Sequence, residues 1–123
     1  MNSKVKSFRD LDVWKGGMAV TEQVYKLTEK WGRYDSLADQ VQRAAVSIPA
    51  NVAEGFGRQT TIDYLRFLQM GRGSLYELCT HLEIASRIGR LEKPVFDALQ
   101  SDLNTLARQL NGLISSLRKR LAS

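Results

Sequence analysis

From Phe96 onward an apolar side chain returns every third or fourth position for three heptads: Phe96, Leu99, Leu103, Leu106, Leu110, Leu113 and Leu117. Only an α-helix gathers such a row onto one face. Pro94 suits its first turn, and a helix from there to Leu121 is roughly 40 Å long at 1.5 Å per residue. A single apolar stripe of that length is stable only when covered along its whole length, so the chain must supply helices of comparable size. This constrains the fold to a helical bundle. A turn-rich β-sandwich is excluded by the same row and by the few breakers, Gly 9 and Pro 2 in 123 residues.

The remaining helices can be read in the same way. Asp10 or Asp12 is placed to cap a first helix that runs to about Trp31. Leu11, Trp14, Met18 and Tyr25 form one line on it, and Val13, Val20, Val24, Leu27 and Trp31 a second. Together they cover roughly half the circumference, which suggests packing within the bundle and also against another subunit. Gly32-Arg33-Tyr34-Asp35 breaks the pattern. Asp35 or Ser36 caps a second helix with the line Leu37, Val41, Ala44, Ile48 and Val52, bent at Pro49 and ended by Gly55 and Gly57. Thr60 or Thr61 caps a third, with the line Tyr64, Leu68, Gly71, Leu75, Leu78, Leu82 and Ala85, ending near Gly89. Gly71 and Gly73 in mid-helix cost about 1 kcal/mol each relative to Ala, which predicts close approach of a neighbouring helix. The expected architecture is all-α, an antiparallel up-down-up-down four-helix bundle. Residues 1–7 are expected as a flexible basic arm and 8–123 as the bundle domain.

Cys79 is the only cysteine, which excludes an internal disulfide framework and any multi-cysteine metal site. No apolar run approaches the ~20 residues of a membrane helix, and the polar start lacks the apolar core of a signal peptide, so a cytoplasmic location away from membranes is expected. Lys+Arg 18 against Asp+Glu 13 leaves a formal charge of +5. A basic balance in a small domain points to a polyanionic partner.

Two sets of polar residues stand out. In the second helix Gln40, Arg43, Ser47, Asn51, Glu54 and Arg58 fall along one side at helical steps, beside Pro49. Such a row serves recognition or catalysis, or it fixes structure at a subunit interface. In the structural reading Glu54 pairs with an arginine, while Asn51 and Ser47 satisfy backbone groups freed by Pro49; that reading is preferred. The second set is basic. Lys4, Lys6 and Arg9 cluster near the N-terminus and Arg118, Lys119 and Arg120 near the C-terminus. In a four-helix up-down bundle both termini lie at one end, and Lys26, Lys30 and Arg33 lie at the other. As phosphate contacts these residues need only density and reach. Tyr25, Tyr34, Tyr64 and Phe67 are candidates to stack on bases, although Tyr64 and Phe67 sit at core spacing.

Catalytic readings are weak. His81, the single histidine, stands near Glu77 and Glu83, but a di-iron bundle needs histidine on two helices, so an exposed or capping role is expected. Cys79 has no visible base and reads as a buried small residue. Gly55-Phe56-Gly57-Arg58 follows a helix and lacks the Lys-Ser/Thr ending of a phosphate loop. No nucleophile–base pair accompanies Glu54 and Arg43. No enzyme, metal or cofactor is expected.

The row Gln40-x-x-Arg43-Ala44-Ala45-x-Ser47-Ile48-Pro49-x-Asn51-Val52-Ala53-Glu54-Gly55 resembles the "four helix bundle protein" family, which includes proteins encoded in intervening sequences of bacterial large-subunit ribosomal RNA genes. Phe8-Arg9-Asp10-Leu11-Asp12-Val13-Trp14 is similar to its opening motif. Tyr64-x-x-Phe67-Leu68 with Gly73-Ser74-Leu75-x-Glu77-Leu78 is similar to its third-helix motif. Trp31-Gly32 and Gly71 depart from the pattern, where members often have an aromatic followed by proline, and alanine. The resemblance implies a homopentameric ring. It also implies kinship with the accessory subunit of diversity-generating retroelement reverse transcriptases, which binds nucleic acid and its enzyme. The expected function is a non-enzymatic, homopentameric accessory protein that holds structured RNA, DNA or an RNA–DNA hybrid through phosphate contacts, alone or with a reverse transcriptase or other protein. The alternative is an oligomeric protein-interaction scaffold.

Overall fold

A computed structural model describes residues 5–123. Four helices follow one another: α1 (Asp12–Thr28), α2 (Ser36–Phe56), α3 (Thr61–Arg87) and α4 (Lys93–Ala122). Short 3-10 turns at Phe8–Asp10 and Glu29–Trp31 flank α1. Cross-helix contacts pair rising with falling residue numbers. Gly17 meets Pro49, and Thr21 meets Ala45. Gly55 meets Phe67, and Ser74 meets Ser47. Arg72 bonds Asn111, and Gln23 bonds Asp102. Each sequential pair is therefore antiparallel, and so is α1 with α4, which makes the fold an up-down four-helix bundle. No helix among the described residues is long and apolar enough to cross a membrane.

The core follows the predicted lines closely. Val20, Val24, Val41, Ile48, Leu68, Leu75, Leu78, Leu82, Leu103, Leu106 and Leu110 are all fully buried. In α4 the periodic row drifts, as 3.6 residues per turn does against a strict heptad. Ile114 is buried to 1% exposure while Leu113 is only half-buried, so Ile114 takes the place assigned to Leu113. On α1 the second line is the buried one; Met18 and Tyr25 of the first are exposed.

The caps are in part as expected. Asp35 accepts from the Ala38 amide at 2.9 Å and Thr60 from the Asp63 amide at 3.1 Å. The cap of α1 differs. Asp10 accepts from the amides of Lys6 and Ser7 and closes the first 3-10 turn. Asp12 is the first residue of α1, and Leu11 stands at its N-cap with no side-chain bond. Turn formation by Phe8–Asp10 competes for the aspartate, and the sequence pattern does not rank the two turns.

Three glycine and proline assignments also change. Gly55 does not end α2. It is buried inside the helix, where a Cβ would stand 2.9 Å from Phe67 Cβ and 3.0 Å from Tyr64 Cδ1, so its role is close approach to α3. Gly71 does pack against α2, with Asn51 and the Ile48 carbonyl 3.5 and 3.6 Å from a Cβ there, but Gly73 faces open space. Pro49 lies within a continuous α2 and frees the carbonyl of Ala45, four residues back. The group that answers it is Thr21 on α1, whose hydroxyl lies 3.1 Å from the Ala45 carbonyl and 2.7 Å from that of Gly17. Asn51 and Ser47, given that task above, bond elsewhere.

Candidate nucleic-acid interface

The antiparallel order brings four places to one end: the first 3-10 turn, the α2–α3 turn, the start of α3 and the end of α4. Lys6, Arg9, Arg58, Arg66, Arg118, Lys119 and Arg120 gather there with Asp10, Asp12, Glu54 and Asp63. Three of these four carboxylates are engaged locally, two of them by arginine. Arg58 Nη2 donates to Glu54 at 2.9 Å, Arg66 lies 3.6 Å from Asp63, and Asp10 is engaged by two backbone amides. Those amides stabilise the Asp10 carboxylate and hold its pKa below 3.8. No ion pair among the described residues engages Lys6, Arg9, Arg118, Lys119 or Arg120. Lys4 lies outside the described residues.

Arginine–aromatic stacking organises this end. The Phe67 ring has Arg58 4.5 Å from its centroid and Arg66 at 5.0 Å, so two guanidiniums flank one buried ring. Tyr64 packs edge-on to Phe56 at 6.1 Å. Burial raises the Tyr64 hydroxyl above its usual pKa, and the charge of Arg120 partly opposes the rise. Arg9 stacks on Phe8 at 4.6 Å. Phe67 thus braces two cations and Tyr64 packs on Phe56, so neither is a free platform for bases. Nothing in the one-dimensional pattern pointed to Arg66, because its value comes from a ring three-dimensional packing puts beside it.

The other basic residues lie apart. Lys26 and Lys30 line a groove of about 770 Å³ between the end of α1 and the start of α4, beside Trp31. Arg33 stacks loosely at 5.9 Å on Tyr34, which is 91% exposed. Arg90, also unnoticed in the sequence, covers the Trp31 ring at 4.4 Å and bonds Asp35. That guanidinium and the Ala38 amide hold the Asp35 carboxyl below 3.8. The candidate cations therefore form two groups at opposite ends.

The polar row of α2 divides. Its exposed members form local pairs: Arg43 with Asp39 at 2.9 Å within α2, and Arg58, just past the helix end, with Glu54. Gln40 is exposed. The half-buried members bridge to α3. Asn51 donates to the Ser47 carbonyl at 2.8 Å and to its hydroxyl at 3.0 Å, and Ser74 donates to Ser47 Oγ at 2.9 Å. These contacts tie α2 to α3 and do not converge on one pocket. His81 is neither exposed nor a cap. Its side chain is 14% exposed, Nε2 lies 3.5 Å from Glu77, and Nδ1 is buried without a hydrogen-bond partner among the described residues. Cys79 is half-buried and burial raises its thiol pKa, the opposite of nucleophile activation.

The model of the 23S rRNA-intervening sequence protein family matches residues 9–112. The chain belongs to that family. The match takes in the opening motif from Arg9, the α2 row, the α3 motif and most of α4. A crystal structure of a protein of unknown function from the S23 ribosomal protein family, from Bacteroides thetaiotaomicron, shares the fold with a TM-score of 0.76. It is 19% identical, and the superposition covers 83% of this family member and 97% of that chain. No curated protein matches in sequence.

Proposed function

We propose that this bundle is a non-enzymatic nucleic-acid-binding accessory protein that contacts RNA or RNA–DNA phosphates through lysine and arginine. The observation that carries the reading is the end holding the first 3-10 turn and the close of α4, where Lys6, Arg9, Arg118, Lys119 and Arg120 have no ion-pair partner among the described residues while Asp10, Glu54 and Asp63 are engaged. Their spread suits sequence-independent phosphate contact, not base reading. Family membership supports a link to ribosomal RNA genes. The reading includes a homopentamer, as the resemblance implies, in which five such ends would add their fields. Exposed Met18, Tyr25, Val46, Met70 and Tyr76 on the outer faces of α1, α2 and α3 supply apolar surface for such contacts. A reverse transcriptase or other nucleic-acid enzyme is the matching protein partner.

Fluorescence anisotropy with labelled structured RNA, duplex DNA and an RNA–DNA hybrid, at several salt concentrations, tests it. The expected result is affinity that falls log-linearly with salt, by roughly 0.7–0.9 log units per log unit of salt for each phosphate neutralised. Reversing charge at Lys6, Arg118, Lys119 and Arg120 should lower both affinity and slope. Absence of binding at low salt would overturn the reading. A second reading, an oligomeric protein scaffold without nucleic-acid contact, is favoured by the groove between α1 and α4, whose floor is apolar.

A further inference from the structure

We propose that the groove between the end of α1 and the start of α4 is a docking site for an acidic amphipathic helix of a partner protein. At about 770 Å³ it falls within the ~300–1,000 Å³ typical of ligand sites. Leu91 and Leu99 form its floor at 5% and 2% exposure, and Val95 on the α4 wall is 40% exposed. Lys26 on α1 and Lys30 on the 3-10 turn that follows it stand four residues apart on one lip, and no ion pair among the described residues engages either. Glu92 is the one carboxylate on the lining. An apolar trough with a cationic lip on one side is complementary to a helix with leucine-type anchors at i, i+3, i+4 and i+7 and carboxylates along one flank.

The same features argue against a nucleic acid here. A phosphodiester chain has no apolar face for Leu91, Leu99 and Val95. The aromatic surface for a base, the ring of Trp31, already has the Arg90 guanidinium 4.4 Å from its centroid. The groove also lies at the opposite end from the terminal cations, so the inference stands whether or not that end binds nucleic acid.

The test uses the full chain and a fluorescein-labelled 18-residue helical peptide with Leu at those four spacings and Glu on one flank. A second peptide replaces every Glu by Lys. The acidic peptide should bind at least about tenfold more tightly than the basic one, and K26E/K30E should invert that order. Both lysines are exposed, so the variant should retain its helicity and melting temperature. Equal binding of the two peptides, or an unchanged order in the variant, would overturn the proposal. So would displacement of the acidic peptide by stoichiometric RNA, which would assign the lip to nucleic acid. A fall in oligomer mass for K26E/K30E without added peptide would overturn it in favour of a second copy of this chain.

Discussion

Thr21 shows how one hydroxyl can hold a helix pair together. Pro49 has no N–H for the Ala45 carbonyl, and the buried oxygen would otherwise lack its helical donor. Thr21 offers its one hydroxyl proton from the neighbouring helix, shared between this oxygen at 3.1 Å and the Gly17 carbonyl at 2.7 Å, while Gly17, one turn earlier, lets the proline ring pack so near that a Cβ there would lie 3.1 Å from Pro49 Cδ. Thr21→Val should destabilise the fold by about 1–2 kcal/mol in urea denaturation, and Thr21→Ser by less. In a Pro49→Ala background, which restores the amide donor, that cost should shrink by about 1 kcal/mol; additive effects would show that Thr21 acts in another way. Two glycines make a contrasting pair. Gly55→Ala forces a methyl against Phe67 and Tyr64 and should cost about 1–3 kcal/mol. Gly73→Ala meets nothing within 4 Å and should stabilise the isolated bundle by about 0.5–1 kcal/mol, both read from melting curves.

Between elements, polar contacts set the register that apolar packing leaves loose. Ser47, Asn51 and Ser74 join α2 to α3 near mid-length, and Asp35 with Arg90 joins the start of α2 to the α3–α4 turn. Gly89, at φ 79°, makes that turn: the Arg90 amide returns to the Ala85 carbonyl at 2.9 Å and aims the guanidinium back at Asp35 and Trp31. Arg90 and the Ala38 amide lower the Asp35 pKa, so the folded state binds that proton less readily than the unfolded chain. The stability this contributes is complete above the unfolded value, near 3.8, and is lost as pH falls through the lower folded value. Asp35→Asn should therefore be less stable than the natural chain at pH 7, with the gap closing below about pH 4 in pH-dependent denaturation. The helix lines were legible in the sequence because a 3.6-residue period is local. The Thr21–Ala45 bond and the Arg90 contacts were not, since their partners lie 24 and 55 residues away.

Across the molecule, charge is distributed by topology. Lys6 and Arg9 lie at the same end as Arg118, Lys119 and Arg120, more than a hundred residues on, because four antiparallel helices return the chain to that end. Lys26, Lys30 and Arg33 are carried to the opposite end. The Glu54–Arg58 pair is solvent-exposed, so Glu54→Ala should change the stability of a single bundle by no more than about 0.5 kcal/mol. If the α2 row lies between copies, the same change should reduce the assembled mass in light scattering. That pair of readouts separates a surface ion pair from an interface contact.

The amino-acid pattern alone determined the number of helices, their order and most of the buried positions, because the apolar stripe of each helix is a property of consecutive residues; Ala38, Ala45, Leu65, Leu91 and Ile114 joined the core without being on a predicted line. It also marked the α2 row as unusual and supported the family assignment. The tertiary structure decided which of those polar residues answer one another, that Gly55 serves close approach instead of helix ending, and that Arg58 and Arg66 flank Phe67. It also opened the groove beside Lys26 and Lys30. The physical reason is range. Helix periodicity is written within a few turns, while a hydrogen bond to a freed carbonyl, a guanidinium over a ring or a gap between helices exists only after separate segments have packed at a given distance.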